Sequence, residues 1–200
     1  PQHHCSVRRQ RQMCIRDRGN TLSSYTEYMY PKLRYVGGSD KYNYIVMDLL
    51  DKTLENIKRE RGGFTIKTTL LISIQMIQLL NTIHYNYIVH RDIKPTNFMF
   101  GYKDEKYKLY LIDFGLCVYG KNGEIYNVEK SSNFIGNLNY GSYMSLLKNK
   151  PDYKDDIESV LYIMIEMYIG KLPWSNLELN KKNIPLLIIK KNPQLVYDFL

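Results

Sequence analysis

The nine residues His90-Arg91-Asp92-Ile93-Lys94-Pro95-Thr96-Asn97-Phe98 constrain this chain more than any other stretch. They hold an acid, a lysine two positions later and an amide five positions after the acid, and Asp113-Phe114-Gly115 follows sixteen residues after Asn97. For all four polar groups to serve one point, the backbone must double back between Asn97 and Asp113. The intervening residues allow this: Phe98 to Phe100 and Leu109 to Ile112 read as two strands around the polar turn Gly101 to Lys108. Such a hairpin places Asn97 and Asp113 at its two ends, on the same side.

Two acids, a lysine and an amide around one point are the equipment for moving a phosphoryl group held by magnesium ions. That chemistry needs positioning and charge stabilisation more than covalent help. Asp92 can orient a hydroxyl and accept its proton, and Lys94 can reach the transferred phosphate. Asn97 and Asp113 can hold hard cations through oxygen. Either triplet alone is weak evidence; the full order His-Arg-Asp-x-x-x-x-Asn and then Asp-Phe-Gly is a strong pattern.

With these residues in place, the chain resembles a eukaryotic-type protein kinase, and more narrowly the casein kinase 1 family. The narrower likeness lies in Val46-Met47-Asp48-Leu49-Leu50, Ile93-Lys94-Pro95-Thr96-Asn97-Phe98, Leu111-Ile112-Asp113-Phe114-Gly115-Leu116, Asp155-Asp156-Ile157-Glu158-Ser159 and Leu172-Pro173-Trp174. The vaccinia-related kinases rank second. The resemblance implies an α+β, protein-kinase-like fold, truncated to a remnant of the small-lobe sheet plus a mostly helical large lobe. On this reading residues 19–47 are the small-lobe remnant, 48–53 the hinge and 54–200 a large lobe incomplete at its C-terminal end. It implies ATP and Mg²⁺ as cofactors, a protein Ser/Thr substrate, a monomer and an intracellular setting, with neither nucleic acid nor membrane as partner. Asp92 and Lys94 would be catalytic, Asn97 and Asp113 the metal ligands. Met47 (as gatekeeper), Asp48, Leu50, Met99 and Ile112 would bind the nucleotide. His90 would pack beneath the loop, and Asp156 would brace its backbone.

The rest of the sequence fits one domain. Residues 66–85 form a long helix capped by Thr65, with Leu70, Ile74, Ile77, Leu80 and Ile83 marking one face and Leu71, Ile72, Met76 and Leu79 making much of the rest apolar. A helix apolar on most sides is expected inside a domain. Asp155 to Gly170 forms a second helix, with Asp155 and Glu158 as a capping-box-like start. Lys32 to Val36 and Tyr42 to Met47 read as strands joined by the turn Gly37 to Asp40, and Met47 is expected in the core. No run approaches the ~18 apolar residues of a membrane span. Of the net charge of +8, residues 1–18 supply +4, from five Arg and one Asp. The basic excess of the remainder is that of a solvated surface. Cys117 is the only cysteine outside residues 1–18, so there is no disulfide framework.

Residues 1–18 have no hydrophobic period and resemble a translated sequencing adapter; the alternative is a basic targeting arm. The absence of Ala, with abundant Ile, Lys, Asn and Tyr, points to an AT-rich coding genome, viral or protist. No glycine-rich phosphate loop, strand lysine or partner helix glutamate is recognisable, and the chain is expected to be an inactive fragment of a kinase gene. The substrate segment departs from the family too. Asn137 stands where the family has the Thr that bonds the catalytic Asp and Lys, and Asn139 where it has an anion-gripping Arg. Those departures keep a pseudokinase or binding module open as the alternative function.

Overall fold

A computed structural model describes residues 30–38, 42–121, 124–125, 134–148 and 150–199. The reading of residues 1–18 and most of 19–30, and the tip of the turn at Ser39 and Asp40, lie outside the described residues.

The chain is α+β, as expected: among the described residues, three small antiparallel sheets lie against a mostly helical body. Strands β1 (Leu33–Gly38) and β2 (Asn43–Met47) pair by themselves, with Val36 opposite Ile45. Strand β3 (Leu50–Thr53) pairs with β5 (Phe98–Gly101), which in turn pairs with β6 (Leu109–Leu111). A third sheet joins β4 (Ile88–Val89) to β7 (Val118–Lys121) and β8 (Glu124–Ile125). Pairing β4 with β7 carries the chain after Asp113 back alongside the strand that enters the His90 loop.

Helix α1 (Leu54–Arg61) starts on Thr53, whose hydroxyl accepts from Asn56 N, and stops at Gly62 in the left-handed region. Helix α2 (Ile66–Tyr85) is capped by Thr65, whose hydroxyl accepts from Thr68 N at 3.2 Å. The α2 face that enters the core matches the marked one only in part, keeping Leu80 and Ile83 but not Leu70, Ile74 and Ile77. Thr69, Ile72, Ser73, Met76, Leu79, Leu80 and Ile83 are buried, whereas Leu70, Ile74 and Ile77 are exposed. Two small residues fit this packed face: Thr69 and Ser73 take up little room, and the Ser73 hydroxyl finds an acceptor within the helix at Thr69 O (2.7 Å). By length and composition α2 is long and apolar enough to cross a bilayer, although its apolar residues are not consecutive. A core helix passes the same test, and here the buried face of α2 packs on a central helix over residues 153–169.

After the short helix α3 (Tyr143–Lys148), that central helix is α4 (Tyr153–Ile169). Its capping box lies three residues earlier than the sequence suggests. Asp152 is the N-cap and Asp155 the N3 partner, with Asp152 N donating to the Asp155 carboxylate at 2.8 Å. Glu158 instead accepts from Tyr143 N at 2.6 Å and from the Tyr162 hydroxyl, joining α4 to α3. Val160, Ile163 and Met167 are buried, and Gly170 (φ 87°) ends the helix in a conformation glycine adopts without strain. Trp174 is fully buried, edge-on to Tyr162 with ring centroids 4.8 Å apart. Helices α5 (Ile184–Lys190) and α6 (Pro193–Phe199) complete the described chain.

Met47 is not core. It is 41% exposed at the end of a two-stranded ribbon on which Tyr35, Tyr44 and Val46 are also exposed. A two-stranded sheet buries a face only where something packs on it.

Candidate active site

The loop from His90 to Asn97 is held from below by one buried carboxylate. Asp156, on the first turn of α4, accepts from His90 N (2.8 Å) and Arg91 N (2.9 Å), and His84 Nε2 lies 2.9 Å from the same group. Arg91 sits at φ 66°, a conformation that costs a non-glycine residue and persists only where surroundings enforce it. Two charge-assisted hydrogen bonds to adjacent amides supply that enforcement. The role expected of Asp156, bracing the loop backbone, is the one its geometry permits.

His90 is fully buried and turned away from chemistry. Its Nδ1 accepts from Asp92 N (3.3 Å), and its Nε2 lies 3.2 Å from Ile112 O, an acceptor, so Nε2 carries the proton. Burial pushes the imidazole pKa below its ordinary value, which keeps the ring neutral in this arrangement. Its ring meets Phe114 edge-on at 5.0 Å, and Phe114 meets Tyr30 in the same way at 5.7 Å.

Three of the residues singled out in the sequence converge on one carboxylate. Asp92 Oδ2 accepts from Lys94 Nζ at 2.6 Å and from Asn97 Nδ2 at 3.2 Å, and the Asn97 amide also donates to Asp92 O at 2.8 Å. The amide nitrogen of Asn97 is thereby occupied, and its oxygen is the atom suited to a cation. Asp113 joins through the hairpin. Phe98 pairs with Leu111, and one step further Ile112 N donates to Asn97 O at 2.9 Å, so Asn97 and Asp113 stand at adjacent ends of β5 and β6. Asp113, at φ 62°, shares the left-handed conformation of Arg91 and is held by Gly115 N donating to its carboxylate at 3.2 Å. The donors suit Mg²⁺, which takes oxygen ligands and is commonly held by one or two protein groups plus substrate phosphates. Among the described residues no cluster of three or more His, Cys, Asp or Glu gathers into a closed metal cage.

The residues expected around the nucleotide are spread along the hinge and the hairpin. Asp48 N donates to Lys32 O (3.1 Å), and the Asp48 carboxylate accepts from Lys32 N (3.2 Å) and pairs with Arg34 (2.5 Å). This ties Asp48 to the start of β1. Leu50 lies opposite Gly101, and Met99 opposite both Thr53 and Tyr110, so β3 and the β5–β6 hairpin form one continuous sheet. Met99 and Ile112 are partly buried.

Several contacts around the site carry no signal in the sequence. Arg91 Nε donates to Leu116 O at 2.6 Å, fastening the loop to the chain beyond Asp113. Lys58 reaches Glu166 at 2.9 Å, and Glu166 also accepts from the Tyr140 hydroxyl at 2.5 Å. Of the two departures in the substrate segment, Asn137 Oδ1 accepts from Asn139 N (2.9 Å), and Asn139 Oδ1 accepts from Trp174 Nε1 (3.0 Å). The Asn139 side chain is therefore bonded to the buried Trp174 indole.

A fold of this kind, with an acid, lysine and amide on one loop and a second acid across a hairpin, defines a phosphotransferase-type site. Residues 22–195 match the protein kinase domain family, and the chain belongs to it. It is 38% identical over 168 residues to a probable serine/threonine-protein kinase of Dictyostelium discoideum, a match that covers 81% of this chain and 34% of that protein. The chain thus spans about a third of the length of this curated relative.

Proposed function

We propose that this chain carries the catalytic loop of an ATP- and Mg²⁺-dependent serine/threonine protein kinase of the casein kinase 1 type. Residues 19–47 would be small lobe, 48–53 hinge and 54–200 large lobe. The observation that carries the reading is the bonded set Asp92, Lys94 and Asn97, joined through Ile112 to Asp113. In the transfer, a substrate hydroxyl oxygen bonds to the terminal phosphorus of ATP. The bond to the bridging oxygen breaks, nucleoside diphosphate leaves, and the hydroxyl proton goes to the Asp92 carboxylate. Lys94 places a positive charge beside that carboxylate and within reach of the transferred group. Asn97 holds the carboxylate in position with its amide nitrogen and offers its oxygen, with Asp113, to the cation. Bound Mg²⁺ would neutralise phosphate charge there.

The serine/threonine assignment rests on Lys94 and on the Dictyostelium relative; the narrower type rests on the stretches from Val46 to Leu50 and from Leu172 to Trp174. The test is label transfer from ATP to a casein-like substrate and to a Tyr-only peptide. It is run with Mg²⁺ on the 200-residue chain and on the longest reading frame that contains it. Transfer to Ser or Thr by the longer product is expected. Nucleotide binding by the longer product without transfer would show a binding module instead.

A further inference from the structure

Lys191 is a lysine with no exposed surface. Its ammonium donates to Asn139 O at 3.0 Å and to Gly141 O, and lies 4.5 Å from the Trp174 ring centre and 4.6 Å from that of Tyr162. The two carbonyls belong to the short segment 136–142. The other end of that segment abuts the catalytic loop, because Gly136 lies so close to Arg91 O that a Cβ there would overlap it. The segment is closed on itself by Gly141 N donating to Asn137 O at 2.7 Å. A single ammonium at the end of α5 therefore holds the back of a loop whose front rests on the residue before Asp92.

We propose that Lys191 is a positioning residue for the protein substrate, fixing the height and tilt of segment 136–142 beside Asp92. This rests on the kinase reading of the site. The positive charge matters, because carbonyl dipoles and ring faces both attract a cation more than a neutral amine. Burial pulls the Lys191 pKa down to about 7, and the Glu158 carboxylate on α4 opposes this. Tyr162, also on α4, donates its hydroxyl to Glu158, and burial keeps that phenol neutral. From the segment itself, the Tyr140 hydroxyl turns away to Glu166. The hold on the segment should slacken as pH rises through neutrality.

Hydrogen exchange tests the hold without relying on activity. In Lys191→Met, amides of residues 136–142 should exchange about tenfold faster, the scale of losing a charged hydrogen bond, while residues 90–97 keep their protection. Unchanged exchange in 136–142, or equal acceleration everywhere, overturns the proposal. Should this variant fail to fold, the unmodified protein decides. Trp174 is the only tryptophan in the chain, so its emission should shift between pH 6 and 8.5, together with falling protection of 136–142 after correction for intrinsic rates. A flat response in both overturns it. In an active gene product, Lys191→Met should raise KM for the peptide about tenfold and leave KM for ATP within about twofold; equal loss in both overturns the positioning role. Absence of transfer in the unmodified product would count against the kinase reading alone, since exchange still decides whether Lys191 holds the segment.

Discussion

The Asp156 carboxylate accepts the backbone N–H of Arg91 at 2.9 Å, although the two residues are 65 positions apart in sequence. With the parallel bond to His90 N, it makes the central helix the support of the catalytic loop. Asp156→Ala would leave two amides and the His84 ring without this acceptor. Each unpaired buried group costs about 1–3 kcal/mol, so a fall in Tm of at least about 6 °C is expected from a domain of this size, at about 2–4 °C per kcal/mol. Asp156→Asn keeps one acceptor oxygen and should lose roughly half as much. Thermal unfolding of the three proteins checks the order.

The sequence made the hairpin and the four polar residues legible because they follow a local pattern: an order of residue types, two strand-forming runs and a polar turn. It misplaced features set by long-range packing. The exposed stripe of Leu70, Ile74 and Ile77 looks as apolar as the buried face, and only the partner helix distinguishes them. The capping box at Asp152 was hidden because four acids occur within seven residues, and spacing alone does not choose between Asp152 and Asp155 as the cap. Met47 was expected in the core from its residue type, but burial depends on a neighbouring layer. Lys191 was invisible, since a lysine after an apolar helix is ordinarily a solvated end.

Asp92 and Asp113 should separate on substitution. Asp92→Asn removes the proton acceptor, and transfer to a Ser peptide should fall about 10²–10⁴-fold with nucleotide affinity largely kept. Asp113→Asn should weaken Mg²⁺-dependent nucleotide binding first. Titration of a fluorescent nucleotide, with and without Mg²⁺, alongside transfer assays reads both. Full activity in Asp92→Asn would make the assigned acceptor wrong.

His90 sets an acid limit on stability. Its folded pKa lies below its ordinary value because burial disfavours the charged ring. The unfolded chain therefore binds a proton that the folded chain resists. The stability this group contributes is complete above the ordinary His pKa of about 6.5. It is lost as pH falls below that value toward the folded pKa. Tm should drop more between pH 7 and 5.5 in the unmodified protein than in His90→Phe, which cannot titrate. Equal drops would show that other groups govern acid unfolding.

Asn139 should lower the preference for phosphate-primed peptides relative to casein kinase 1 enzymes. Its side chain accepts from Trp174 Nε1, and an amide lacks the fixed cationic fork with which an arginine grips phosphate. Paired assays on primed and unprimed forms of one peptide give the ratio. Asn139→Arg should raise it if the longer side chain leaves Trp174 and reaches solvent. A high ratio that survives mutation of Lys130 and Lys148 would refute the expectation; Lys130 lies outside the described residues.

Gly136 offers the most local test of how the substrate segment meets the catalytic loop. It sits at φ +120°, and a Cβ there would overlap Arg91 O, a backbone atom that cannot swing aside. Gly62 is also in the positive region, at φ +71°, but nothing lies within 4 Å of where its Cβ would be. Gly62→Ala therefore carries conformational strain alone, about 1–2 kcal/mol. Gly136→Ala adds overpacking of about 1–3 kcal/mol, and the added methyl pushes directly on the residue before Asp92. Transfer should fall much further in Gly136→Ala than in Gly62→Ala at matched folded fraction, with peptide turnover affected more than nucleotide binding. Equal activity in the two variants would mean that segment 136–142 does not need its contact with Arg91 to present a substrate to Asp92.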